Sequence, residues 1–123
     1  MILVDTSVWV DHFKTPSERM VGLLRAGQVG THPMVIGELV LGGISRAVRE
    51  DLTDLIAFDQ VSAREALALV DGWQLARSGI GLVDAHLLAS ARLMPGSTLW
   101  TNDRRLAAVA GRLGIAQPEN EAL

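Results

Sequence analysis

Fourteen aspartates and glutamates are spread along this 123-residue chain, and four of them stand where a solvated acid is not expected. Asp5 directly follows the apolar run MILV, and Asp103 follows STLWT in the same way, so each lies just past a stretch that reads as a buried strand. Glu38 has Met34, Val35, Leu41 and Gly42 as its helical neighbours, and Asp84 has Ile80, Gly81, Leu87 and Leu88. Neither belongs to a polar helix face. Singly, Asp5, Asp84 and Asp103 also suit an ordinary helix N-cap. Asp71 has apolar neighbours too, but no strand end beside it, and reads as a boundary residue of an amphipathic helix.

Buried carboxylates are costly unless they are paired, hydrogen-bonded or bound to a cation. Four that converge repel one another and raise one another's pKa, and a divalent ion is the simplest relief. An all-oxygen donor set of Asp5, Glu38, Asp84 and Asp103 selects hard ions, Mg²⁺ or Mn²⁺. Such centres act on phosphate esters: the metal activates water and stabilises the leaving oxygen, giving hydrolysis with no covalent intermediate. Thr6, Ser7, Thr101 and Asn102 flank two of the acids. They either orient the water or the phosphate, or serve only in turn and cap hydrogen bonds.

Several other chemistries are excluded. The chain has no cysteine, so disulfides, thiolate catalysis and zinc–thiolate sites are ruled out, and a reducing compartment, the cytoplasm, is expected. His12, His32 and His86 show no paired ligand spacing and read as structural. An aspartyl-phosphate enzyme needs a second acid two residues after the first, where Ser7 stands here. There is no P-loop, and Gly79-Ile-Gly81 lacks the third glycine and the preceding strand of a dinucleotide fingerprint. No apolar run approaches the ~18 residues of a membrane span, and no basic region with a long apolar core marks a secretory leader. The net charge of −3 argues against a polyanionic partner until the ions are counted; two divalent cations reverse its sign. Glu50, Asp51 and Asp54 lie beside Arg46 and Arg49, and Glu119 and Glu121 lie in a polar tail; these acids read as solvated surface.

The elements that must position the four acids follow from local pattern. MILV reads as a short central strand, and residues 5–13 as a helix on which Trp9 and Phe13 share a face. TPSE reads as a capping box with Thr15 as N-cap and Pro16 in the first turn, opening a helix that ends near Ala26. A strand follows in QVGTHP, then a helix from Pro33 to the Gly42-Gly43 pair, a helix from about Arg46 to Ile56, and a strand near residues 58–61. SARE is a second capping box for a helix running to about Arg77. VDAHLLASARLM is helical, STLWT is a strand, a last helix runs from about Asp103 to Leu113, and residues 114–116 suit an edge strand. Strands that are apolar throughout and alternate with helices predict a mostly parallel sheet of four to five strands between helical layers, a three-layer α/β/α fold in one domain spanning residues 1–123. Ligands bind outside the carboxyl ends of such strands, where Asp5 and Asp103 fall.

Read together, MILVDTSVWVDHF, VIGELVLGGI, GLVDAHLLASARL and LWTNDRRLA resemble, in order and over essentially the whole chain, the PIN-domain nucleases and among them the VapC-type toxins of toxin–antitoxin pairs. Position by position, the family's acidic set falls on Asp5, Glu38, Asp84 and Asp103, with hydroxyl positions at Ser7 and Thr101. The resemblance implies a metal-dependent endoribonuclease that cuts RNA, forms a homodimer and is neutralised by a VapB-type antitoxin. Trp9 and Phe13 then either pack in the core or line a dimer or antitoxin surface. Arg104 and Arg105, beside Asp103, are the first candidates for an RNA path. The alternatives are a housekeeping RNA-processing or DNA-directed nuclease of the same fold, and a binding subunit of a regulatory complex that does no chemistry.

Overall fold

The computed structural model describes residues 1–122, with side chains through Asn120; the expectation for the Glu121 side chain lies outside the described residues. Four strands, β1 (Ile2–Val4), β2 (Val29–Thr31), β3 (Ile56–Ala57) and β4 (Thr98–Trp100), form one parallel sheet in the order β3-β2-β1-β4. β1 is central, with Ile2 opposite both Val29 and Thr98 and Val4 opposite Trp100. Every residue of β1 and β2 is buried. Because successive strand side chains point to opposite faces, burial of every residue means that helices cover both faces, as a three-layer α/β/α fold requires.

The helices are α1 (Thr6–Lys14), α2 (Glu18–Arg25), α3 (Pro33–Leu41), α4 (Arg46–Thr53), α5 (Ala63–Gly72), α6 (Leu82–Leu93) and α7 (Arg104–Arg112), and a 3-10 helix closes the chain at Pro118–Ala122. α6 is the most enclosed: Ala85 through Ala91 are all buried. One continuous core joins Leu3, Val4, Met20, Val35, Phe58, Leu87, Leu88, Leu99 and Leu106. Among the described residues no helix is long and apolar enough to cross a membrane.

Several boundaries differ from the sequence expectation. Ser17, not Thr15, is the N-cap of α2: its side chain accepts from the Met20 N–H at 3.1 Å, while Thr15 ends α1 by donating its N–H to the Asp11 carbonyl. Two helices meet within three residues there, the first closed by a backbone N–H and the second capped by a hydroxyl. α4 stops at Thr53, and the strand after it is Ile56–Ala57 rather than residues 58–61. Phe58 is instead a core residue, and its ring fills the space above Gly30 that a side chain there would occupy. α5 ends at Gly72 because Trp73 caps it and Gln74 takes a positive φ of 55°. Its capping box is formed as expected, with Ser62 and Glu65 bonded reciprocally. The supposed edge strand at 114–116 is a single parallel bridge, Ala116 to Leu99.

Trp9 and Phe13 stack, with ring centroids 5.9 Å apart, but only Trp9 is in the core. Phe13 is 40% exposed. Glu119 is not a free surface acid either, since it pairs with Arg19 at 2.6 Å.

Candidate metal centre at the carboxyl edge of the sheet

Asp5 ends β1 and caps α1. Its N–H donates to the Trp100 carbonyl at 2.9 Å, which extends the ladder with β4 by one residue and fixes where the side chain starts. The carboxylate is 6% exposed and accepts three hydrogen bonds, from the Thr6 N–H (2.7 Å), Ser7 Oγ (2.8 Å) and Thr101 Oγ1 (2.7 Å). Its burial is therefore met by donors within the protein, with no cation needed to explain it.

Two of the same residues reach the other acids. Thr6 Oγ1 donates to Glu38 Oε1 at 2.7 Å, and Thr101 Oγ1 accepts from the Asp103 N–H at 3.0 Å. Asp103 caps α7, its Oδ1 accepting from the N–H groups of Arg105 and Leu106. Asp84 lies in the first turn of α6 and accepts the Gly81 N–H at 3.0 Å. Its carboxyl is pushed above the usual aspartate range, chiefly by burial and further by the charges of Asp5, Asp103 and Glu38, against the opposing pull of the Gly81 N–H. Four acids from four separate segments thus act on one region. Glu38 is exposed rather than stranded among buried apolar groups, because its neighbours Leu41 and Gly42 are exposed as well.

Among the described residues no three acid or histidine side chains are packed tightly enough to grip an ion as they stand. What fits a cation is the donor chemistry: oxygen ligands only, with Asp5, Asp103 and Glu38 each repelling charge on the part-buried Asp84, a repulsion that a hard divalent ion would offset. Of the expected flanking residues, Asn102 turns its side chain away from the four acids and Ser7 stays on Asp5. The Asn102 side chain donates to Asp11 Oδ2 at 2.6 Å, and Ser7 Oγ accepts the Asn102 N–H at 3.0 Å while bonding Asp5. Two of the histidines have structural partners. His32 is fully buried and caps α3 through Nδ1, which accepts from the Met34 N–H; His12 Nδ1 accepts from the Ser17 N–H; His86 is buried in α6.

A family model described as PIN domain matches residues 2–112. The chain belongs to the PIN-domain family. Two relatives named Ribonuclease VapC32, from Mycobacterium tuberculosis strains CDC 1551 / Oshkosh and ATCC 25618 / H37Rv, are each 45% identical to it over 121 residues, covering 97% of this chain and 98% of theirs. That places this PIN domain with proteins of the VapC type.

Sequence reasoning missed two supports of this PIN domain's carboxyl edge. Asn120 is buried, accepts the Thr101 N–H at 3.0 Å and donates to the Leu99 carbonyl at 2.8 Å, so the 3-10 helix after α7 holds the strand end that carries Thr101. Asp11 anchors Asn102. Nothing in the local pattern of QPENEAL or WVDHF signals either contact. Arg104 and Arg105 are exposed at the start of α7, and among the described residues neither pairs with a carboxylate.

Proposed function

We propose that this protein is a metal-dependent endoribonuclease toxin, with Asp5, Glu38, Asp84 and Asp103 as the acids that hold Mg²⁺ or Mn²⁺ and carry the chemistry. The observation that carries the reading is the coupling of four acids from distant segments: Thr6 links Asp5 to Glu38 through its N–H and its hydroxyl, the Thr101 hydroxyl links Asp5 to the Asp103 backbone, and Asp84 feels the charge of all three. The ribonuclease names of the relatives supply the substrate class.

When bound, the ion supplies Lewis-acid charge at the phosphate and activates the attacking water. The protein's own groups prepare the place. Thr101 and Ser7 direct their protons at Asp5 Oδ2, which holds that carboxylate in one rotamer. Thr6 orients Glu38 in the same way. Asp103 spends Oδ1 on the α7 N-terminus, and among the described residues its second oxygen carries no hydrogen bond. Water adds at phosphorus as one P–O ester bond breaks and its proton ends on the departing oxygen, so the four acids have only to place charge and need form no bond to the substrate.

The whole chain then acts as one nuclease domain, as a homodimer, and a VapB-type antitoxin neutralises it. In support, a shallow groove lined by Thr6, Val10, Phe13, Glu38, Leu39 and Ile44 runs from the site, with exposed Phe13 at its side. The direct test incubates the purified protein with total RNA in Mg²⁺, in Mn²⁺ and in excess chelator. Cleavage is expected with either ion and not with chelator. Asp5→Asn keeps a capping side chain on α1, so the fold survives, while activity falls by more than the roughly hundredfold that loss of a metal's supporting groups costs. Equal cleavage by wild type and Asp5→Asn overturns the assignment.

A further inference from the structure

Arg105 is the second residue of α7, two positions after Asp103, yet among the described residues its guanidinium makes no ion pair and no hydrogen bond. It lies instead against the backbone of Gly79. A Cβ on Gly79 would fall 2.6 Å from Arg105 Cδ and 3.0 Å from both Nε and Nη1, so the side chain rests where only a glycine leaves room. Gly79 has a φ of +86° and sits in the loop that leads to Gly81, whose N–H holds Asp84. Arg105 therefore spans from the helix start that Asp103 caps to the loop that sets Asp84.

A guanidinium that rests on the loop leading to Asp84, and among the described residues pairs with no carboxylate, keeps its planar donor edge for another anion. Arginine is suited to a phosphate diester, which it can meet with two parallel N–H···O bonds. We infer that Arg105 binds a backbone phosphate of the RNA at the rim of the acid site, and that Gly79 is a positioning residue whose missing side chain holds the guanidinium flat in that place. The inference rests on the ribonuclease reading and adds to it a contact that anchors the strand beside the acids. It also answers how a chain of net charge −3 holds a polyanion next to four carboxylates: one fixed cation stands at the boundary between them.

The test uses the full-length protein and a mixed-sequence single-stranded oligoribonucleotide carrying a fluorophore and a quencher. Binding is read by anisotropy of the singly labelled RNA in chelator across a salt series, and cleavage by initial rates in Mn²⁺. Arg105→Gln, an exposed position, is expected to weaken binding about tenfold, to raise KM by a similar factor with kcat within about threefold, and to reduce the salt slope by about 0.7, the loss of one phosphate contact on a single strand. Arg105→Lys keeps the slope and recovers only part of the affinity, because the charge returns without the two-pronged geometry. Gly79→Ala pushes the flexible guanidinium aside and is expected to reproduce part of the Arg105→Gln effect while adding nothing to it in the double variant.

Unchanged affinity and salt slope in Arg105→Gln overturn the phosphate contact, and full additivity in the double variant overturns the role of Gly79. If Gly79→Ala unfolds, as circular dichroism would reveal, the two Arg105 variants still decide the contact. A wild-type protein that cleaves no RNA, or that cleaves as well after Asp5→Asn, refutes the ribonuclease reading instead, so the two failures are distinct.

Discussion

At the scale of single residues, hydroxyls and one histidine do the positioning. Thr101 donates to Asp5 and accepts from the Asp103 backbone, so one buried oxygen registers two acids that lie far apart in the chain. His32 performs the matching task at the start of α3, the helix that carries Glu38. Its Nδ1 accepts from the Met34 N–H, which leaves the proton on Nε2 to donate to Ser90 Oγ at 3.1 Å. Burial, reinforced by the charge of neighbouring His86, lowers its pKa to about 4. The unfolded imidazole takes up a proton below about pH 6.5, whereas the folded one does not until about pH 4, so stability present at neutral pH is lost as pH falls through that window. The loss attributable to His32 is on the order of 3 kcal/mol. Urea unfolding followed between about pH 7 and pH 4 should show that slope, and His32→Asn, which can still cap α3, should flatten it. An identical slope in the variant refutes the assignment to His32.

At the scale of elements, short strands deliver side chains to one edge, and their packing tolerates little change. β2 carries Gly30 against the ring of Phe58, which is 2% exposed and cannot swing away. A Cβ at Gly30 would meet Phe58 Cδ1 at 2.8 Å and Cε1 closer still. Gly30→Ala is therefore expected to destabilise the protein by about 1–3 kcal/mol through overpacking, even though alanine is otherwise the smallest possible change. Denaturant midpoints measure it, and a midpoint equal to wild type would show that the edge strand yields instead.

At the scale of the whole molecule, the sheet edge gathers carboxylates faster than it gathers opposing charge. Among the described residues Arg19–Glu119 is the one ion pair, and it is remote from Asp84 in sequence. A divalent ion that binds only the folded state then stabilises the entire fold by linkage, about 1.4 kcal/mol when the free ion is tenfold above its Kd. Thermal unfolding should shift upward with Mn²⁺ and return with chelator, and the shift should be absent in Asp84→Asn. A metal-independent midpoint for the wild type would count against the four acids as a metal centre.

The sequence by itself determined the features that rest on local pattern: apolar runs followed by an acid, the Ser62–Glu65 capping box, the parallel α/β order, and the histidines' lack of ligand spacing. These are legible because capping and burial periodicity act within a few residues. Tertiary structure alone decided what depends on contacts between distant segments. It placed Phe58 over Gly30 and β3 at Ile56–Ala57, and it separated Trp9 in the core from Phe13 on the surface. Asn120 came to hold the end of β4, and Arg105 came to rest on Gly79. The convergence of the acids has the same origin. Asp5 and Thr101 are 96 residues apart in sequence and 2.7 Å apart in space, and only the pairing of β1 with β4 makes one site of them.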